Sequence, residues 1–567
     1  MKTNRGTNLW KALLWLLPAA FLLVFFYQPL TAILRLAFSM LPTGTGAEQG
    51  FQLSLVANTF GFTLWQAVLS TLLTLVVGLP AAYLFSHFEF AGRKFLRLVA
   101  LLPFILPTVV TAVCFNSLLG PRGWLNLGLM ALFNLSEPPM RMLDSLPAIL
   151  LAHVFYNSSV IIRIVGGAWS RLDRKLTQAA QMLGANGWRV FWEVTLPLLL
   201  PAIGGASLLV FLFDFTSFGV VLMLGGPRFA TLEVEIYTQA LYLFNLPLAG
   251  LLSVVQLAFT LLVAWLYNRI SLPRYGKAAL SAERANLRRP KTRAEKAFTL
   301  TVVLVLVTLM LLPLLSLVSR SVVSLEADRG ARGEVQTGFT LRYYRELFRN
   351  TSGSIFYVPP AAAVRNSLMY AGAAMLITNL LGMLAAYALH YSGRLRRWLE
   401  PLFILPLGAS AVTLGLGFVI VFRRAPWNAL SFPMLIPFAH ALVALPLVVR
   451  TLLPTLSGIP VSLRQAAGTL GAGWARVFRE VDLPVMLRSL LVSMVFAFTV
   501  SLGEFGASSF LSTGQNPTIP VAIYRYISQP GALNYGQALA MSTILLLVCA
   551  AGSLIIEKAR LPGEELF

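Results

Sequence analysis

Twelve long runs of apolar residues, separated by shorter polar segments, dominate the pattern along the chain. A helix needs about 20 mostly apolar residues to cross a bilayer, and each run is close to that length or longer. The runs are too long for barrel strands, and lipid offers no partner to an open backbone, so helices are expected. The runs lie near residues 12–38, 59–85, 98–120, 143–166, 198–224, 246–268, 298–319, 363–389, 400–422, 435–455, 487–511 and 537–556. The pattern therefore predicts an all-α integral membrane protein with about 12 transmembrane helices.

Composition supports a membrane protein and excludes several other classes. Of the 567 residues, 57% are hydrophobic and only 12% are charged, whereas soluble domains carry about 25% charged residues. A soluble enzyme, a disordered chain and a secreted disulfide scaffold are thereby excluded. Cys114 and Cys549 both lie in apolar runs, so they indicate neither a disulfide framework nor a metal site. The run near 12–38 is too long for the apolar core of a cleaved signal peptide, and we expect it to remain as the first span.

The formal net charge of +22 is explained by basic residues in cytoplasmic loops more simply than by nucleic-acid binding. Cytoplasmic loops of membrane proteins carry an excess of Lys and Arg, and anionic lipid attracts them. The distribution favours a cytoplasmic N-terminus and, with twelve spans, a cytoplasmic C-terminus. The clearest basic clusters follow the second and eighth runs: Arg93, Lys94, Arg97, Arg394, Arg396 and Arg397.

A shift of 287 residues aligns the two halves of the chain without a gap from about residue 149 to 237. For example, Gln178-Ala179-Ala180 falls on Gln465-Ala466-Ala467. Six spans per half give both copies the same orientation, related by a pseudo-twofold axis along the membrane normal. We predict a first six-span repeat over 1–270, a basic cytoplasmic linker over 271–297 and a second six-span repeat over 298–567.

The best-matched stretch of the repeat is the loop between the fourth and fifth spans of each half. Its pattern is Q-A-A-x-x-L-G followed by V-x-L-P, which predicts a short helix, a turn at glycine, and a second short helix entering the next span. One alternative is an amphipathic helix at the lipid interface. Two copies in one register favour a surface that docks a partner. The candidate docking residues are Gln178, Ala179, Ala180, Gly184, Pro197, Gln465, Ala466, Ala467, Gly471 and Pro484.

These loops resemble the E-A-A-x-x-x-G-x9-I-x-L-P signature of permeases from binding-protein-dependent ABC importers. Glutamine replaces the leading glutamate at Gln178 and Gln465, and valine replaces isoleucine at Val194 and Val481. The resemblance implies a type I importer permease fold, with each loop seated on one of two ATPase subunits. It also implies an external solute-binding protein and a bacterial or archaeal plasma membrane. ATP would be bound by the partner subunits, with no cofactor in this chain.

Two six-span units fused in one chain are similar to the permeases for ferric iron and thiamine, so both solutes stay open. The sequence contains no G-x-x-x-x-G-K-[ST] phosphate-binding loop, which predicts that the chain is not itself an ATPase. An ion-coupled secondary transporter can also have six plus six helices and is the alternative function. A membrane enzyme would need a cluster of catalytic groups, which the sequence does not indicate.

One acidic residue falls in the fifth span of each half, where a carboxylate is costly and usually faces a cavity or a partner. Candidate pathway residues are Asp214, Ser217, Ser501 and Glu504, where the 287-residue shift pairs each acid with a serine. A cationic solute would suit such a pathway. The alternative is a structural carboxylate hydrogen-bonded to neighbouring hydroxyl groups.

Histidine and arginine also recur across the repeat. His153 and His440 match at mid-span, but two isolated histidines are weak evidence of a metal site, so none is predicted and interhelical hydrogen bonding is favoured. Arg163 and Arg450 match as well, and we expect their long side chains to reach the inner membrane interface.

Overall fold

The computed structural model describes residues 6–39, 46–271, 287–324, 338–349, 359–423, 432–514 and 516–559. Within these ranges the regular secondary structure is helical apart from one isolated bridge between Phe88 and Arg288 and one short antiparallel pair of strands, β1 (Val323–Ser324) and β2 (Gly338–Phe339). The predicted all-α membrane fold is confirmed. The predicted linker over 271–297 lies partly outside the described residues, and the three domain boundaries stay predictions.

The first half contains helices α1 to α13. They are α1 (Gly6–Leu22), α2 (Gln28–Ser39), α3 (Gly46–His87), α4 (Arg93–Ile105), α5 (Thr108–Leu119), α6 (Trp124–Phe133), α7 (Leu146–Ser170), α8 (Arg174–Met182), α9 (Gly187–Val190), α10 (Leu196–Phe215), α11 (Gly219–Leu224), α12 (Leu232–Leu241) and α13 (Leu246–Ser271). Short π-helical segments at Leu23–Tyr27 and Phe191–Thr195 join α1 to α2 and α9 to α10, and a 3₁₀ turn covers Pro227–Phe229.

The second half, whose membrane spans follow the order of those in the first half, contains helices α14 to α26. They are α14 (Arg293–Leu306), α15 (Leu312–Arg320), α16 (Arg342–Arg345), α17 (Pro360–Tyr391), α18 (Arg396–Ile404), α19 (Ala411–Phe422), α20 (Leu435–Gly458), α21 (Val461–Thr469), α22 (Trp474–Val477), α23 (Leu483–Gly503), α24 (Gly506–Leu511), α25 (Ile519–Ile527) and α26 (Ala532–Ala559). Segments at Val307–Leu311 and Phe478–Asp482 are π-helical, and 3₁₀ turns cover Glu346–Phe348, Gly393–Leu395 and Leu405–Gly408.

Ten helical stretches among the described residues are long and apolar enough to cross a membrane, and two bent pairs bring the number to twelve. The bent pairs are the third span of each half, which the sequence predicts as unbroken runs over 98–120 and 400–422. The chain turns by 114° in the first pair and by 94° in the second. Leu106, which precedes Pro107, is extended, as steric conflict with a following proline requires. In the second pair the extended residue is Ala409, and Ser410 then caps α19 by accepting from the Thr413 amide at 3.0 Å.

The fifth span of each half ends earlier than its apolar run. α10 ends at Phe215 and α23 at Gly503, and each is followed by a six-residue helix, α11 or α24. Glu504 explains the second break, because its carboxylate accepts the Ala507 amide at 2.8 Å and the Ser508 amide at 3.0 Å. A side chain that accepts the first free amides of a helix fixes where that helix starts.

The two halves interlock through their first spans. α1 and α2 pack against α17 and α19 of the second half, and α15 packs against α5 of the first. In the second contact the hydroxyls of Ser117 and Ser316 lie 2.9 Å apart, and the Trp124 indole donates to Ser319 at 2.8 Å. The halves therefore share one continuous apolar core.

Residues just before α14 pack on the C-terminal end of α3. The Arg288 amide donates to the His87 carbonyl at 3.0 Å, and the Glu89 amide donates to the Arg288 carbonyl at 2.9 Å. The Arg288 guanidinium also donates to Oε1 of Glu295 at 2.6 Å. The end of the linker is thereby held to the first half.

Glycine allows the closest helix contacts, and the contact is the same in both halves. A Cβ on Gly78 would lie 2.6 Å from Cβ of Ile161, and one on Gly382 would lie 2.6 Å from Cγ1 of Val448. These contacts join α3 to α7 and α17 to α20. Close packing at small residues is how helices associate in lipid.

Gly382→Ala is expected to destabilise the protein by about 1–3 kcal/mol, because the added methyl forces the packed helices apart. The matched control is Gly372→Ala on the same helix, where nothing lies within 4 Å of the added carbon. Thermal unfolding of the detergent-purified protein would show a lower midpoint for Gly382→Ala alone. Equal midpoints for both variants would contradict the proposed close contact.

Candidate functional site

The loop between the fourth and fifth spans of the first half has the predicted helix–turn–helix form. α8 ends where Gly184 adopts φ +85°. The Gly184 amide donates to the Gln181 carbonyl at 2.9 Å, and the Ala185 amide donates to the Ala180 carbonyl at 3.1 Å. This bond pair is the Schellman arrangement, which needs a left-handed residue and strongly favours glycine. Asn186 then caps α9 by accepting the Arg189 amide at 2.8 Å.

The second half repeats this geometry. Gly471 has φ +81°, its amide donates to the Gly468 carbonyl at 3.0 Å, and the Ala472 amide donates to the Ala467 carbonyl at 3.0 Å. Pro197 and Pro484 lie at the starts of α10 and α23. The two loops, 174–197 and 461–484, are called the coupling loops below.

The turn of each coupling loop presents large apolar side chains that the rest of the protein does not cover. Met182 and Leu183 are each 89% exposed, and Leu470 is 86% exposed. Gln178, Ala179, Gln465 and Ala466 are exposed, whereas Ala180 and Ala467 are partly buried. Because both loops follow the fourth span of halves with the same orientation, they lie on the same side of the membrane.

One ion pair in the second coupling loop was not singled out from the sequence. Nε of Arg464 on α21 donates to Oδ1 of Asp482 at 2.8 Å, and both side chains are largely buried. The sequence does carry a signal for it, because the variable position of V-x-L-P is Thr195 in the first copy and Asp482 in the second. A charged residue that occurs in only one copy of a matched repeat position indicates that this copy also contains a residue of opposite charge to pair with it.

A cavity of about 210 Å³ lies between the two halves at the level of the span breaks. Phe218 and Phe505, which match in the repeat, both line it and stack on each other with ring centroids 5.1 Å apart. Its other lining residues are Thr108, His153, Tyr156, Asn157, Phe213, Thr216, Ser217, Gly219, Val220, Glu233, Ala411, Val412, Glu504 and Gly506. We call it the central cavity.

The structure places the four candidate pathway residues differently. Ser217 and Glu504 line the central cavity, whereas Asp214 and Ser501 are not among its lining residues. Asp214 is completely buried. The carboxylates of the two halves are therefore not equivalent, although their sequence positions are only three residues apart in the repeat.

His153 connects three helices of the first half by hydrogen bonds. Its Nε2 lies 2.8 Å from the Ser217 hydroxyl, and its Nδ1 lies 3.0 Å from the Ser70 hydroxyl and 3.3 Å from Oδ1 of Asp214. The same carboxylate oxygen accepts from Nδ2 of Asn157 at 2.7 Å. Interhelical hydrogen bonding, the favoured interpretation of this histidine, is what the geometry shows.

His440 is bound in a similar way, but to the acid of the second half. Its Nδ1 lies 2.7 Å from the Ser501 hydroxyl, and its Nε2 lies 2.8 Å from the Ser508 hydroxyl and 3.1 Å from Oε2 of Glu504. Each histidine thus orients polar groups beside the central cavity. Among the described residues, no group of three or more His, Cys, Asp and Glu side chains is placed to hold a metal ion.

A third carboxylate at the central cavity was missed from the sequence. Glu233, near the start of α12, is only 1% exposed and accepts a hydrogen bond from Nε2 of Gln256 on α13. Glu233 lies outside the long apolar runs, because α12 is too short to appear as one. The sequence signal for this carboxylate was the pair of acidic residues, Glu233 and Glu235, between the fifth and sixth apolar runs.

Arg163 and Arg450 line one chamber of about 160 Å³, together with mainly apolar and aromatic side chains. Each lies ten residues beyond the repeat histidine on α7 or α20, which is about 15 Å closer to the coupling loops. Phe213 and Thr216 line both this chamber and the central cavity. Both arginines thus line a chamber between the halves, and their reach to the inner membrane interface stays a prediction.

Comparison with known proteins identifies the family. Residues 74–272 and 378–558 each match the family of binding-protein-dependent transport system inner membrane components. The thiamine transport system permease protein ThiP of Haemophilus influenzae is 28% identical over 86% of both chains, and that of Salmonella typhimurium is 29% identical over 89% of both. A chain of a bacterial alginate ABC transporter, solved with its pentasaccharide-bound periplasmic protein, matches 47% of this chain and 95% of its own at 20% identity and a TM-score of 0.40. The chain therefore belongs to the inner membrane components of binding-protein-dependent transport systems, as a multi-pass ABC importer permease with two fused repeats.

Proposed function

We propose that this permease imports a thiamine-like cation, delivered by an external binding protein and driven by two separate ATPase subunits. The observation that carries the proposal is the pair of coupling loops. They have the same geometry, lie on one side of the membrane and expose apolar side chains. A pair of matched surfaces suits two copies of one partner.

The docking surface would be formed by the residues that the sequence singled out. Exposed Gln178 and Gln465 can donate and accept hydrogen bonds but carry no charge, so their contribution does not depend on an ion pair with the ATPase. The flanking apolar side chains would supply most of the buried area, as in the centre of other protein interfaces. ATP binding and hydrolysis would occur entirely on the partner subunits.

The proposed solute class rests on the relatives and on the central cavity. Relatives that match most of this chain are thiamine permeases, which favours a thiamine-like solute over ferric iron. Thiamine has a cationic thiazolium ring and an aminopyrimidine ring. The cavity offers the carboxylates of Glu233 and Glu504, and the aromatic rings of Phe218 and Phe505. Acids and ring faces both attract an organic cation.

The remaining features follow from the family and the charge pattern. A binding-protein-dependent system needs an external solute-binding protein, which would dock on the side opposite the coupling loops. The basic clusters after the second and eighth spans favour both termini on the cytoplasmic side. An ion-coupled secondary transporter has no need of paired coupling loops, so that alternative is disfavoured.

Transport in proteoliposomes tests the proposal. The permease would be reconstituted with and without the ATPase, with the binding protein outside and ATP inside the vesicles. We expect thiamine uptake only with both partners and with hydrolysable ATP. Uptake by the permease alone, driven by an ion gradient, would contradict the proposal. Uptake of ferric iron instead of thiamine would overturn the solute assignment alone.

A further inference from the structure

The ion pair between Arg464 and Asp482 ties the second coupling loop to three membrane helices. The second oxygen of Asp482 accepts from the Tyr387 hydroxyl on α17 at 2.9 Å. Nη1 of Arg464 lies 3.0 Å from Nε2 of His390, also on α17, and Nη2 donates to the Leu456 carbonyl on α20 at 3.4 Å. Asp482 itself directly precedes α23. A displacement of α21 would therefore be transmitted to α17, α20 and α23 through this partly buried cluster.

The first coupling loop cannot form this ion pair. The 287-residue shift places Thr177 at the position of Arg464 and Thr195 at that of Asp482, and threonine carries no charge. Tyr83, which aligns with Tyr387, stacks on His87 with ring centroids 4.3 Å apart. The two loops thus share their backbone geometry, but the residue pair that forms the Arg464–Asp482 ion pair is replaced by two threonines in the first loop.

We propose that the two coupling loops transmit the movement of the ATPases unequally. Arg464 and Asp482 are positioning residues that attach α21 to the membrane helices more rigidly than α8 is attached. A buried ion pair resists separation because each charge would be left without a partner in a low-dielectric setting. The first loop has threonine at the two equivalent positions, and α8, without that ion pair, is expected to yield more readily. The inference rests on the proposed function, because it requires ATPase docking at these loops.

Asp482→Asn tests the inference in the complete transporter. Thr195→Val, at the same position of the first loop, is the matched control. We measure solute molecules imported per ATP hydrolysed in proteoliposomes, together with retention of the ATPase during purification. The ratio is expected to fall about two- to tenfold for Asp482→Asn and to stay at the wild-type value for Thr195→Val, with the ATPase retained in both. An equal ratio in the two variants would overturn the inference.

A second variant decides the question if Asp482→Asn fails to assemble. Replacing both partners, as Arg464→Met with Asp482→Leu, removes the ion pair without leaving a buried charge, a change that folded proteins often tolerate. A lowered ratio at wild-type thermal stability supports unequal transmission, and an unchanged ratio overturns it. Failure of wild-type transport itself would instead refute the proposed function, so the two failures are distinguishable.

Discussion

Gly184→Val and Gly471→Val are each expected to reduce ATP-dependent uptake about tenfold, and the double variant is expected to abolish it. Both glycines end a coupling helix in the left-handed region, at φ +85° and +81°. An L-residue there costs about 1–2 kcal/mol, and a β-branched one is less tolerated still. Since about 1.4 kcal/mol corresponds to a factor of ten, the strained turn would lose the docking geometry in most molecules.

The effect is conformational, because an added Cβ at either glycine meets no atom within 4 Å. Gly184→Asn and Gly471→Asn are therefore the informative controls, since asparagine adopts the left-handed conformation more readily than other L-residues. Gly458→Ala tests an ordinary glycine beside the second coupling loop, with neither a positive φ nor a near contact. Both kinds of control should keep most of the uptake, measured in proteoliposomes that contain the ATPase. Full uptake by the valine variants would remove the coupling role of the two turns.

The coupling loops could be predicted from sequence because their structure is local. A helix, a glycine turn and a second helix are specified by residues only a few positions apart, and the repeat shows the pattern twice. The left-handed conformation of Gly184 and Gly471 follows from the same local pattern. The division into six plus six spans can likewise be predicted from the sequence, because the length of an apolar run limits where a helix can lie in lipid.

The features that sequence analysis missed depend on long-range contacts. Hydropathy does not show where a run turns, so the third and ninth runs read as single spans. Glu504 reads as an acid in a span, but its role in starting α24 becomes visible only when its hydrogen bonds to the Ala507 and Ser508 amides are known. The position of Arg163 and Arg450 on one chamber, and of Glu233 beside Gln256, likewise depends on how separate helices pack.

Glu504→Gln is expected to raise the KM for uptake of a cationic solute about tenfold, whereas Asp214→Asn should change it less than about twofold. Glu504 lines the central cavity and Asp214 is completely buried outside its lining. A hydrogen bond or contact with a charged group contributes about 1.5–3 kcal/mol, which corresponds to roughly a tenfold change or more. Loss of the Asp214 charge leaves an amide that can still accept from Asn157.

The double variant separates the two interpretations of the acids. If only Glu504 faces the solute, the double variant Asp214→Asn with Glu504→Gln has the same KM for uptake as Glu504→Gln alone. The effects of the two substitutions on KM are then additive, and that of Asp214→Asn is close to zero. Because Glu504 also accepts the Ser508 amide at 3.0 Å, thermal unfolding of each variant must accompany the uptake measurement. A raised KM with an unchanged unfolding midpoint assigns the effect to the solute. Wild-type KM in the double variant would show that both carboxylates are structural, and that the aromatic rings of the central cavity select the cation without them.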